Sequence, residues 1–107
     1  MSLISQLLPG TRIQVFYKDH KFREVCQSLI YVGMIEGECL LIRWPSKHLP
    51  PMPMVELDPG VILKLKSVIN GDSLKAINFT AESLGIRTLK DPMLLVSYPT
   101  QIQSQTL

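Results

Sequence analysis

The stretch VILKLKSVINGDSLKAINFT, residues 61–80, decides the fold. Leu63 and Leu65 alternate with Lys64 and Lys66, the period-two pattern of a strand with one buried face. NGDS at residues 70–73 is a strong hairpin signal, and Leu74, Ala76, Ile77 and Phe79 supply the returning strand. An isolated hairpin is marginal in water, so this one requires further strands to cover its apolar face.

Those strands are found on both sides. Just upstream, LDPG at residues 57–60 repeats the corner LLPG at residues 7–10, and each corner launches an alternating run. Proline rigidifies the approach and glycine accepts the unusual backbone angles of a sharp corner. After the first corner, Ile13, Val15 and Tyr17 alternate with Arg12, Gln14 and Phe16, and KDHKF at residues 18–22 makes a polar turn. Residues 23–33 are rich in Val, Leu, Ile and Tyr, and IEGE at residues 35–38 contains a glycine suited to a tight hairpin. A turn at residues 36 and 37 would set Cys39 opposite Met34, with residues 39–44 as the return. Downstream, AESLGI at residues 81–86 either extends a strand or makes a helical turn, and residues 93–98 form a last strand before Pro99. Residues 99–107 read as a linker or terminal strap. At the other end, residues 2–8 suggest a short N-terminal helix with Ser2 as cap and Leu3, Ile4, Leu7 and Leu8 on one side.

Six short strands in hairpin order predict an all-β, single-domain chain over residues 1–107, its antiparallel sheet curled into a small six-stranded barrel that hides its edges. A shared corner is slight evidence for internal duplication.

Composition narrows function mainly by exclusion. The chain has 107 residues, 46% hydrophobic and 19% charged, with a net charge of only +2, so no dense basic patch selects nucleic acid or an anionic surface. Its apolar runs are far shorter than the roughly 20 residues of a membrane helix, and no basic segment precedes an apolar core at the N-terminus. The expectation is a cytoplasmic protein without membrane insertion. Cys26 and Cys39 are expected to be small buried hydrophobes without a disulfide. With His20 and His48 they are spaced by 6, 13 and 9 residues, which matches no paired-ligand zinc pattern. Neither histidine lies at a spacing that implies a nucleophile and base, and the glycines occur singly, without a phosphate loop. No catalytic, cofactor-binding or metal-ligating residue is therefore assigned.

Binding residues are easier to nominate. RWPSKHLPPMPM at residues 43–54 joins a tryptophan, prolines and methionines in a semi-rigid loop. Arg43, Trp44, Pro45, Met52 and Met54, with Tyr98 and Pro99 beside the tail, form the candidate partner contact, while a barrel-crossing loop with Trp44 as an end plug is the structural alternative. Lys64, Lys66 and Lys75 suggest a small basic face, which a solvated strand explains equally well.

Read in order, LLPGTRIQVFY, CQSLIYVGMIEGECLLIRWP, LDPGVILKLKSVINGDSLKAINFTAES and LLVSYPTQIQSQTL resemble the N-terminal barrel domain of YcgR-type flagellar brake proteins, which precedes PilZ in bacterial cyclic di-GMP receptors. The carriers are Pro9-Gly10, the hairpin ending in Arg43-Trp44-Pro45, Pro59-Gly60, Gly71 with Phe79 after it, and Tyr98-Pro99 with Ile102. The resemblance implies a non-enzymatic barrel that packs beside PilZ or against another subunit, including a second copy. It also implies that cyclic di-GMP acts only indirectly, since the RxxxR and D/NxSxxG stretches that grip it are missing and the junction would begin about where Leu107 falls. Two other readings are a flavin-type small-molecule split barrel and, ranked last, a nucleic-acid-binding small barrel.

Overall fold

A computed structural model describes residues 3–45, 54–88 and 90–107. Seven strands form one antiparallel sheet: β1 (Arg12–Lys18), β2 (Glu24–Ile35), β3 (Cys39–Arg43), β4 (Ile62–Asn70), β5 (Leu74–Thr88), β6 (Pro92–Ser97) and β7 (Gln103–Thr106). Hairpins join β1 to β2, β2 to β3, β4 to β5 and β5 to β6, β3 pairs with β6, and β4 pairs back onto β1. The first six strands thus close a barrel in the order β1-β2-β3-β6-β5-β4, and β7 lies as an extra strand along β5. No α-helix is found among the described residues, only 3-10 turns at Leu3–Gln6 and Val55–Leu57.

The two Pro-Gly corners are built alike. Gly10 and Gly60 sit at φ +92° and +99°, backbone that an L side chain rarely adopts. The Gly10 amide donates to the Tyr31 carbonyl at 2.8 Å and Tyr31 donates back to Thr11 at 2.9 Å; Gly60 donates to Ser83 at 2.9 Å and Ser83 back to Val61 at 2.7 Å. Each corner docks where a long strand carries an extra residue, between Tyr31 and Gly33 in β2 and between Ser83 and Gly85 in β5. Such bulges bend a strand sharply, and here they let β2 and β5 each pair with different neighbours along their length. A 3-10 turn precedes each corner, and the turns bury Ile4 and Leu7 in one case and Met54 and Leu57 in the other. The order of turn, corner, strand, bulged strand and strand thus occurs twice. The two copies meet at Val15 opposite Leu65, which stand at the same distance along the chain from Gly10 and Gly60. This internal two-fold repeat is why one small chain uses the same corner twice.

Alternation sets the core. Ile13, Val15 and Tyr17 of β1 and Leu63, Leu65 and Ile69 of β4 point inward, as the sequence pattern predicts. They join Leu29, Tyr31, Leu40, Ile42, Ile77, Phe79, Leu94 and Val96 in one continuous buried cluster. Ser83, the fully buried polar side chain at the second bulge, donates to the Leu57 carbonyl at 2.7 Å and accepts from the Gly85 amide at 3.1 Å. Its hydrogen bonds tie the second 3-10 turn to the bulge.

Several local expectations need correction. The β2–β3 loop spans three residues, with Gly37 at φ +77° and Glu38 donating to Ile35, so Cys39 faces Ile35 and Met34 faces Leu40. Cys39 is buried but Cys26 is exposed, because its register partner Phe16 belongs to the outward set of β1; both thiols are free. Leu8 is exposed, apart from the buried Ile4 and Leu7. Of the two readings of AESLGI, strand extension holds, with the bulge inside it. Of the two readings of residues 99–107, linker or terminal strap, the strap describes them: β7 lies there, and its backbone pairs with Lys75–Asn78.

The repeat yields a paired test. Gly85 has φ +101°, and a Cβ there would lie 3.1 Å from Pro59 Cγ, whereas its counterpart Gly33 has open space around the same position. Gly85→Ala should destabilise by about 1–3 kcal/mol from backbone strain and contact with the corner. Gly33→Ala should stay within about 0.5 kcal/mol. Denaturant midpoints at constant m-value check both.

Candidate functional site

β3 delivers Arg43, Trp44 and Pro45 to one end of the barrel, with Arg43 in register with Met93. Trp44 turns inward and is 4% exposed. Its indole N–H donates to Gln27 Oε1 at 2.9 Å, and the Gln27 amide donates to the Tyr17 hydroxyl at 2.9 Å. Burying an indole ring removes a large apolar area from water provided its N–H finds an acceptor, and Gln27 provides it. Trp44 therefore has the position of the end plug. Met54 is also buried, Pro99 is buried, and Arg43, Pro45 and Tyr98 are half-buried. Tyr98 lies at the opposite end of the β3–β6 pair, where its amide donates to Glu38 at 3.2 Å. Met52 falls outside the described residues. The structure does not gather the other six nominated residues into one exposed surface: Arg43, Trp44 and Pro45 stay together at one end, apart from Tyr98 and Pro99.

Titratable groups are dispersed. His20 Nδ1 is 4.0 Å from Glu56 Oε1, with the imidazole 71% exposed, which makes a surface pair. Asp19 organises the β1–β2 turn: Oδ1 accepts from the Lys21 and Arg23 amides at 2.8 and 2.9 Å, and Oδ2 accepts from Arg23 Nε at 3.0 Å. These donors, the Arg23 amide foremost, hold its carboxyl below the usual range. Burial pushes the Tyr17 phenol upward, with the charges of Glu56 and Asp19 adding to it. Among the described residues no group of three His, Cys, Asp or Glu is close enough to hold a metal ion.

The outer face was harder to read from the sequence. Lys64 and Lys66 project outward from β4, while Lys75 pairs with Ile69 and lies on the other face, so the three lysines do not make one basic surface. A hollow of about 640 Å³ opens on the outer side of β1, β4 and β5 and is lined by Arg12, Gln14, Ser28, Lys66, Val68 and Asn78 among others. Its residues come from five strands, β1, β2, β4, β5 and β7, and only the pairing register brings them together.

One buried hydrophobic cluster inside six closed antiparallel strands, with Trp44 as a plug at one end, defines the class of small closed β-barrel domains. Within that class the chain belongs to the PilZNR family, described as flagellar protein YcgR, whose family model matches residues 8–99. No curated protein matches the chain. The family is not known to be catalytic, and membership links the chain to PilZ-domain and cyclic di-GMP signalling.

Trp44→Ala should cost about 3–5 kcal/mol by emptying the plug. Tyr17→Phe should cost about 1 kcal/mol by leaving the Gln27 amide short of an acceptor. Urea denaturation measures both. Two pH effects follow in opposite directions. The Asp19 contribution to the turn is complete above the ordinary carboxylate pKa and is lost as pH falls through its lowered folded value. The Tyr17 contribution is complete below the ordinary phenol value of 10.0 and is lost as pH rises through its raised one. Side-chain NMR titrations should place the two midpoints on those sides of the ordinary values.

Proposed function

We propose that this chain is a non-catalytic regulatory module of a flagellar brake-type protein and that it acts through contacts with a PilZ domain, with another subunit or with a second copy of itself. Family membership supports the link to cyclic di-GMP signalling. The observation that carries the mode of action is the filled barrel. Side chains from six strands and both 3-10 turns form a single buried cluster, which leaves the outer face as the surface for exchange with other molecules. A flavin-type split barrel would have to hold its isoalloxazine ring on the outer face, since the buried cluster occupies the inside, and family membership favours the contact reading instead. The nucleotide then reaches this domain indirectly, as a change in how a neighbouring PilZ domain sits against it. Cytoplasmic placement accords with that role. No helix among the described residues is long and apolar enough to cross a membrane.

The test is calorimetry of the purified chain with cyclic di-GMP, alone and mixed with a separately produced PilZ domain that includes its RxxxR junction. The expected result is no heat of binding to the chain alone up to about 100 μM, a free energy weaker than about 5.5 kcal/mol. With PilZ present, the affinity of the two proteins for each other should change when the nucleotide is added. Micromolar binding to the isolated chain would overturn the proposal, and a chain that ignores PilZ with and without nucleotide would overturn its PilZ contact and the indirect route for the nucleotide.

A further inference from the structure

The outer face of the sheet carries a row of polar side chains in register across five strands. Ser28 faces Gln14, Gln14 faces Lys66, Lys66 faces Asn78, and Asn78 faces Gln103. Alongside runs a second set, with Arg12 on β1, Val68 paired to Ala76 on the β4–β5 ribbon, and Ala76 paired to Gln105 on β7. Together these residues, Gln103 excepted, line the 640 Å³ hollow. None of the chain's nine acidic residues lines it, although two cations do. Among the described residues neither Arg12 nor Lys66 forms a salt bridge. Arg12 Nη1 reaches only the Ser28 hydroxyl, at 3.5 Å, and Lys66 Nζ rests 5.3 Å above the Phe16 ring.

The internal repeat supplies a built-in comparison. Its counterpart hollow, about 260 Å³, lies on the other side of the β1–β4 seam and is lined by Phe16, Lys18, Glu24, Ile62, Lys64 and Thr80 among others. There the register pair Lys18 and Glu24 carries its own compensating charge, with Nζ 3.8 Å from Oε2. In the larger hollow the equivalent register pair is Val68 and Ala76. An apolar patch stands where the carboxylate would be, and the nearby positive charges are left for something else to neutralise. Val68, 43% exposed, is the apolar part of this surface open to contact.

We infer that this hollow docks an extended acidic segment of a partner protein, with carboxylates on Arg12 and Lys66 and apolar side chains over Val68 and Ala76. The amides of Gln14, Asn78 and Gln105 offer both donors and acceptors to a peptide backbone. Nothing aromatic lines the hollow, which removes the stacking platform that single-stranded nucleic acid uses. The inference rests on the reading of the domain as a contact module and gives that contact a place and a chemistry. It can fail by itself, because the calorimetry above reads association with PilZ through any face of the domain.

The test uses the whole chain, labelled with nitrogen-15, titrated with the peptide acetyl-Glu-Val-Glu-Val-Glu-Val-amide at low ionic strength, where exposed charges are least screened. Saturable shifts should centre on Arg12, Gln14, Ser28, Lys66, Val68 and Asn78. The double variant Arg12→Gln and Lys66→Gln should weaken binding by roughly tenfold, the scale of two exposed ion pairs. The matched double variant Lys18→Gln and Lys64→Gln, which removes the same charge from the counterpart hollow, should change it by less than about twofold. An equal loss in both variants would reduce the effect to general attraction and overturn the inference, as would the absence of saturable shifts. Tighter binding of oligothymidylate to the same residues would make this a nucleic-acid surface, and concentration-dependent shifts there without peptide would make it a self-contact; either outcome overturns the acidic-segment reading.

Discussion

The structure depends on the β1–β4 seam. Two three-stranded halves, each with its own corner and bulged strand, become one barrel only where Gln14–Phe16 runs antiparallel to Lys64–Lys66 and β3 runs against β6. The seam is the shorter of the two junctions, and Val15 faces Leu65 at its middle, both fully buried. Backbone groups at an open sheet edge would remain available to other chains, whereas closure pairs them and gives the inward residues of both halves a common interior. The hydrophobic contribution of that interior is therefore contingent on a few backbone hydrogen bonds of long sequence separation. The corners make this possible: by docking on bulges they fix where each half turns, and so where β1 and β4 can meet.

That division of labour separates the inside of the domain from its outside. Inside, side chains fill the space, and the buried polar groups are satisfied by neighbours, as with Ser83 on Leu57 and Gly85, or Trp44 on Gln27. Outside, the repeat has diverged. One hollow keeps a lysine and glutamate pair, and the other presents arginine and lysine beside valine and alanine. Two equivalent positions on a common frame thus carry different chemistry.

What was legible in the sequence follows from burial. β1 and β4 each have one face in the core, so their alternation is regular and the inward residues could be named, and the Asn-Gly and Glu-Gly turns marked the hairpins. The two matching corners were legible as a repeat of four residues, but their partners were not. Val32 and Leu84, the extra residues of the bulges, break the period of two, and AESLGI became ambiguous for that reason. β7 has no apolar face to announce it: all four residues of QSQT are exposed, and backbone pairing to β5 holds the strand in place. The nominated contact loop was chosen for its composition, and composition does not distinguish a tryptophan that plugs a barrel from one that meets a partner. The hollow was invisible because Arg12, Ser28, Lys66 and Asn78 are far apart in the chain and become neighbours only through register.

The most direct measurement of closure is native-state hydrogen exchange at the amides of residues 14–16 and 64–66 that bond across the seam. A closed barrel predicts that they exchange with the slowest amides of the core and share the denaturant dependence of global unfolding. If they exchange through a small local opening while β2, β3, β5 and β6 remain protected, the two halves form an open sheet, and the account of a sealed barrel acting through its outer face is wrong.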